Sequence, residues 1–205
     1  MNEECYKELA NQYDEQVKEY DSYGYNVIFG MSYEYVKPGE RILDLGIGTG
    51  LASIQFSKIG IKIYGLDISE DMLNMCRSKS FAEELKLHDL LNDRIPYNDD
   101  FFNHIISCGV FHFISDLSNI FSEVARIINE GGIFAFTISP ENIKDDFVKQ
   151  MTAWGVPIYK HSPNYIKRLL DLNNMKLLKE QRLLIKGADK INYNMLFSVM
   201  IAGYK

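Results

Sequence analysis

Arg41-Ile42-Leu43-Asp44-Leu45-Gly46-Ile47-Gly48-Thr49-Gly50 decides the fold. Arg41–Asp44, led by Ile42 and Leu43, reads as the end of a buried strand. Glycine at alternate positions then lets the backbone take positive φ and lets a ligand come close to it. Leu51, Ala52, Ile54, Gln55 and Phe56 follow with helical character. A helix start behind such a turn offers unpaired N–H groups and a positive dipole end, a seat for a polar group of a ligand. A dinucleotide fingerprint, G-x-G-x-x-G, needs glycine where this chain has Leu51. Asp44, two residues before the first glycine, repels a pyrophosphate and suits a ligand with a positive amino group.

The pattern D-x-G-x-G-x-G resembles the first motif of class I S-adenosylmethionine-dependent methyltransferases, of the type 11 and 25 pattern. That resemblance implies S-adenosylmethionine as cofactor, S-adenosylhomocysteine as product, and Asp44, Gly46, Ile47, Gly48 and Gly50 as cofactor-binding residues. The next strand, Ile61–Leu66, ends on Asp67, placed to accept both hydroxyls of a ribose, with Ile68 beside it. Ser69 is an N-cap for a helix over Glu70–Lys79. The family often sets an apolar side chain against adenine at Met72; simple core packing is the other reading. A short strand over Leu85–His88 ends at Asp89-Leu90, where the family has an acid for the adenine amino group and a backbone N–H for a ring nitrogen. A solvated loop acid is the alternative for Asp89.

Ser107-Cys108-Gly109-Val110-Phe111-His112-Phe113 follows a fourth strand, Asn103–Ser107, and resembles the family's fourth motif. It implies that Cys108 and Gly109 pass close to the cofactor. His112 is the candidate proton acceptor, with a structural histidine as the competing reading, and Tyr25 or His161 stands behind it. Asn103 replaces the aspartate usual in the family and reads as structural.

The flanks complete the layout. Residues 2–22 carry apolar residues about one turn apart, an amphipathic helix that methyltransferases use as a lid. Tyr6, Ala10, Tyr13-Asp14 and Gly24-Tyr25 resemble the small methyltransferases similar to the Williams–Beuren syndrome region 27 protein, with Tyr23 where that group has tryptophan. Tyr13 either covers the cofactor or packs the helix down. Asn26–Val36 reads as a second helix, closed by Lys37-Pro38-Gly39. Asp116–Ile128 repeats apolar residues at three and four, a buried helix face, and Ile133–Ile138 is a central strand. Ser139–Lys160 lacks firm periodicity; with Tyr25 and His112, its Trp154 and Tyr159 are candidates for a substrate pocket. Ser162-Pro163 opens a helix through Leu172.

Met175–Ile185 and Tyr193–Tyr204 read as two long strands that pair antiparallel around Gly187. The expected fold is therefore α/β and Rossmann-like: seven strands in the order 3-2-1-4-5-7-6, the last antiparallel, with helices on both faces. A nicotinamide-binding sheet stays parallel to its edge, so this hairpin and Leu51 separate the two classes. The chain reads as one domain over residues 1–205: a lid over 1–36, a cofactor core over 40–138, a substrate-side segment over 139–172 and the hairpin over 173–205.

Bulk properties agree. The length of 205 residues suits a single α/β domain with a proper core. A net charge of -6 argues against a nucleic-acid partner. No apolar run reaches a membrane span and no secretory leader opens the chain, so the expectation is no membrane partner and a cytoplasmic location. Cys5, Cys76 and Cys108, and the four histidines, lack ligand spacing, so no metal is expected. The amino-methylating signature N-P-P-Y or D-P-P-Y is absent after the fourth strand, which favours a small-molecule acceptor, with protein methylation as the other option; a monomer or homodimer is expected. The expected reaction is in-line transfer of a methyl group; a non-catalytic cofactor-binding subunit or a nicotinamide oxidoreductase are the alternatives.

Overall fold

The computed structural model describes residues 12–92, 94–152, 155–187 and 190–205. Residues 12–19 are the described part of helix α1. The elements then run α2 (Gly24–Ser32), β1 (Arg41–Leu45), α3 (Ser53–Ser57), β2 (Lys62–Asp67), α4 (Glu70–Ser78), β3 (Ala82–Leu87) and β4 (His104–Ser107). After a short 3-10 turn at Phe111–Phe113 come α5 (Ser118–Ile127), β5 (Ile133–Ile138), β6 (Phe147–Met151), β7 (Pro157–His161), α6 (Pro163–Leu172), β8 (Met175–Lys186) and β9 (Tyr193–Tyr204).

Seven strands form one sheet in the order β3-β2-β1-β4-β5-β9-β8. β1 pairs parallel with β2 and β4, β2 with β3, and β4 with β5. β9 runs antiparallel to both β5 and β8. This is the expected topology, with β8 and β9 as the sixth and seventh sheet strands.

Strand periodicity divides the core between two faces. Leu43 and Leu45 of β1, with Phe134, Phe136 and Ile138 of β5, pack against Ile120, Phe121 and Val124 of α5 and Ile166 and Leu169 of α6. Ile42 of β1, with Ile133 and Ala135 of β5, packs against Ile28 of α2, Phe56 of α3 and Leu73 and Cys76 of α4. Asp44 shares the parity of Ile42 and so belongs to the second face. Every residue of β5 is buried, as its double-sided apolar sequence requires. α4 and α6 start where Ser69 and Ser162 accept the N–H of Met72 and Tyr165.

Several boundaries differ from the sequence expectation. The second helix is Gly24–Ser32 rather than Asn26–Val36, because the chain leaves it well before Pro38. Ser139–Lys160 is not irregular throughout: β6 and β7 form an antiparallel hairpin, with Phe147 opposite His161 and Met151 opposite Pro157. Its outer strand is largely exposed, so it lacks the apolar alternation that would have marked it. Asn103 is structural, accepting the Arg41 N–H at 2.9 Å and so tying the start of β1 to that of β4.

Candidate active site

The site lies at the carboxyl ends of β1, β2 and β4, where an open α/β sheet binds its ligands. β1 delivers Asp44, and the chain turns through Gly46–Gly50 at once. Gly46 and Gly50 sit at φ +74° and +86°, and a Cβ there would run into Val110 and Phe81 at 2.4 Å. Gly48, at φ +54°, differs: nothing lies within 4 Å of where its Cβ would be. Two glycines thus serve internal packing, and the middle one leaves a face of the loop bare.

Asp67 holds this loop from the end of β2. Its Oδ2 accepts the Gly48 N–H at 2.7 Å and its Oδ1 accepts the Ser69 N–H at 2.9 Å. Burial pushes the Asp67 carboxyl up from its ordinary range, against the pull of these N–H donors. Asp44 is 1% exposed; its Oδ2 accepts the Ser53 hydroxyl at 2.5 Å, while its Oδ1 is buried with no partner. Burial raises its pKa to about 7. An orphaned carboxylate oxygen in a cleft short of cations fits a ligand ammonium.

A cleft of about 70 Å³ lies here, lined by Asp44, Gly46, Ile47, Gly48, Cys108, Gly109, Tyr13 and Tyr25, among others. Burial pushes the Cys108 thiol up to about 12 and the Tyr13 phenol above its usual range. Both stay protonated. Helix α1 closes the cleft from above. Asp14 accepts the Thr49 hydroxyl at 2.5 Å and pairs with Lys79 at 2.7 Å, bridging the glycine loop to the end of α4.

A larger cavity of about 270 Å³ adjoins it and shares Tyr13, Val17, Ser22, Cys108 and Gly109. Its far wall is the tip of the terminal hairpin, where Leu183 and Ile185 of β8 face Phe197 and Met195 of β9 in cross-strand register. His112 lines it, 5.3 Å from the Phe197 ring, and its Nδ1 is buried without a partner. Burial, with His161 adding, lowers the His112 pKa to about 4. Thr137 of β5 accepts the Gly109 N–H at 2.7 Å and fixes the turn between the two spaces.

The structure therefore brings Tyr13, Asp44, Gly46, Ile47, Gly48, Cys108 and Gly109 together in the cleft, with Asp67 bonded to its floor. Gly50, Ile68, Met72, Asp89, Leu90 and Tyr159 are not among the residues lining either cavity. Gly50 is turned toward Phe81 and Cys76 beneath the loop. Ile68 is exposed, and Met72 is buried. Asp89 accepts the Leu91 N–H and the Asn92 amide of its own turn, one on each oxygen, and Leu90 packs against the core. Tyr25, expected on the substrate side, lines the cofactor cleft instead. Tyr159 does not line the larger cavity; it sits in the β6–β7 hairpin with its ring against Phe147. His161 is no proton acceptor for a substrate: it is fully buried, stacked on Tyr165, and its Nε2 donates to the Ile114 and Ser115 carbonyls. Cys5, Tyr6, Ala10 and Trp154 fall outside the described residues.

Sequence reasoning missed the hairpin wall and the Asp14 bridge. The first had a signal, since Leu183-Leu184-Ile185 and Met195-Leu196-Phe197 are apolar runs at the tip of a hairpin. The second had none: Thr49 and Lys79 are polar residues whose meeting depends on the fold. Among the described residues no group of histidine, cysteine or carboxylate side chains could hold a metal ion, and no helix is long and apolar enough to cross a membrane.

Comparison with known proteins agrees with this geometry. Residues 43–136 match the family described as "Methyltransferase domain". The biotin biosynthesis bifunctional protein BioHC of Saccharophagus degradans is 29% identical over 182 residues, covering 84% of this chain and 32% of that protein. The chain spans from 32% to 53% of the length of the first curated relatives it matches. A solved S-adenosylmethionine-dependent methyltransferase from Methanosarcina mazei superposes with a TM-score of 0.70 at 15% identity, covering 85% of this chain and 96% of its own. The magnesium protoporphyrin IX methyltransferase of Synechocystis, solved with its bound S-adenosylmethionine, superposes with a TM-score of 0.66 at 17% identity, covering 88% of this chain and 77% of that one. Glycine loop, strand-end acids and sheet order agree with the match of residues 43–136 to the methyltransferase domain family and with the fold of the solved methyltransferases.

Proposed function

We propose that the chain transfers the methyl group of S-adenosylmethionine to a small-molecule acceptor. The carrying observation is that the cleft on the glycine loop opens directly into the larger cavity, across Cys108 and Gly109. A binding subunit without catalysis has no use for that second space. The antiparallel β9 and the family match leave a nicotinamide enzyme without support.

The residues divide the work. The unpartnered Asp44 Oδ1 takes the ligand ammonium, and Asp67, with lone pairs left over from Gly48 and Ser69, takes the ribose hydroxyls. Gly48 lets the ligand lie on the loop backbone. Tyr13 and α1 cover it and exclude water. The sulfonium supplies an already activated methyl group, so the protein's task is to hold two reactants in register. His112 lines the space where an acceptor's proton must go; burial keeps its imidazole neutral above about pH 4, and the same burial weakens it as a base. Helices α1 and α2, over the described residues 12–32, act as the lid.

The test is calorimetric titration with S-adenosylhomocysteine and with NADH, then transfer of labelled methyl from S-adenosylmethionine into a metabolite pool. Binding of S-adenosylhomocysteine alone, with label in a small molecule, is the expected result. Binding of NADH instead, or an unlabelled pool, overturns it.

A further inference from the structure

The larger cavity narrows the acceptor, an inference that rests on the transfer reading above. Among the described residues, none of its lining side chains carries a charge at neutral pH. The nearby cations are already engaged. Lys186 pairs with Asp21 at 2.8 Å and Lys190 with Glu19 at 2.5 Å, each joining the hairpin tip to the lid. The wall itself is apolar: Leu183, Ile185, Met195 and Phe197. A carboxylate or phosphate placed here meets no cationic side chain among the lining residues, and an ammonium meets no carboxylate. At about 270 Å³ the cavity sits below the usual range for drug-sized ligands, which suits one or two fused rings rather than a chain. His112 lines the cavity, and its buried Nδ1 has no partner among the described residues, which leaves the ring as the nearest acceptor for a hydroxyl proton.

We propose that the acceptor is an uncharged ring compound bearing a hydroxyl, a phenol or enol, seated between the lid helix and the hairpin tip and methylated on that oxygen. An oxygen lone pair forms the new C–O bond as the C–S bond breaks. The electron pair of the broken bond stays on sulfur, and the hydroxyl proton passes to His112.

The test uses the full chain and three probes of one shape: 2-naphthol, 2-naphthoate and 2-naphthylmethylammonium. Binding of S-adenosylhomocysteine is measured first; its absence overturns the transfer reading and the acceptor class with it. With S-adenosylhomocysteine bound, 2-naphthol is expected to bind at least about tenfold tighter than either ion. Leu183→Lys, with S-adenosylhomocysteine binding retained as proof of folding, is expected to reverse the preference toward 2-naphthoate. Binding of either ion as tight as that of 2-naphthol, or of none of the three, overturns the proposal while the transfer reading stands. With S-adenosylmethionine, 2-methoxynaphthalene is the expected product; bound 2-naphthol that gains no methyl on oxygen overturns the oxygen assignment.

Discussion

Asp67 Oδ2 accepts the Gly48 N–H at 2.7 Å, so the acid that ends β2 also holds the loop that ends β1. One carboxylate therefore shapes the loop and, on the proposed reading, binds the ligand's sugar as well. Asp67→Ala removes both functions, and S-adenosylhomocysteine affinity is expected to fall at least ~10-fold, the worth of a charge-assisted hydrogen bond. Asp67→Asn turns an NH₂ toward one of two N–H donors and is expected to fall nearly as far. Calorimetry decides: wild-type affinity in both variants takes the ribose away from Asp67.

Asp44 gives the site a pH signature. Its pKa of about 7 lies above the unfolded 3.8, so the folded chain holds a proton that the unfolded chain releases. That contribution to stability is full below about 4 and is lost as pH rises through about 7. A bound ammonium reverses the preference and drives the proton off. Affinity for S-adenosylhomocysteine is therefore expected to rise with pH up to about 7 and then level, with proton release below that pH. Titrations in two buffers of different ionisation enthalpy count the proton; Asp44→Asn abolishes the release, and a pH-independent affinity in the wild type refutes the linkage.

The glycines separate stability from binding. Gly48→Ala places a methyl in open space at φ +54°, a backbone strain of about 1–2 kcal/mol, and fills the ligand's side of the loop. Gly46→Ala drives a methyl to 2.4 Å from Val110 at φ +74°. Denaturant unfolding is expected to show the larger loss for Gly46→Ala. The cofactor titration is expected to show the larger loss per unit of stability for Gly48→Ala. Equal ratios would mean the bare face of the loop is not a binding surface.

The lid is held shut by groups that water can reach. Lys79 and Asp14 are 23% and 33% exposed, so their pair adds only about 0.2–1 kcal/mol to folding. On the proposed lid reading, entry of the ligand breaks the contacts of Asp14 with Thr49 and Lys79. Lys79→Ala is expected to leave the melting temperature nearly unchanged and to speed S-adenosylhomocysteine release by about 2–5-fold, within that same energy range. Added salt acts likewise on the wild type. Stopped-flow displacement reads the rate; one unchanged in both experiments rules out the bridge as a latch.

The fold was legible because its signals are local. The glycine turn, the apolar run of β5, the α5 stripe and Ser162-Pro163 each declare an element within a few residues. The β6–β7 hairpin stayed hidden because Val148, Lys149, Gln150 and Met151 face solvent and show no buried side. In the site, what a residue type dictates came through: the acids at two strand ends and the glycines between. Partner choice did not. Asp89 looks equally apt for an adenine and for its own turn until the Leu91 and Asn92 contacts are seen. Tyr25 and Tyr159 are interchangeable as sequence, and only the folding of α2 over β5 and β9 and of β7 onto β6 sends them to different places.

β5 stops pairing with β9 at Ser198, so residues 193–197 and the strand opposite them overhang the sheet. That cantilever lies outside residues 43–136 and carries no β-ladder but its own. Its sequence is free to drift, lengthen or be grafted while the nucleotide cradle remains untouched. Engineering a new selectivity should begin at this eave rather than at the glycine loop.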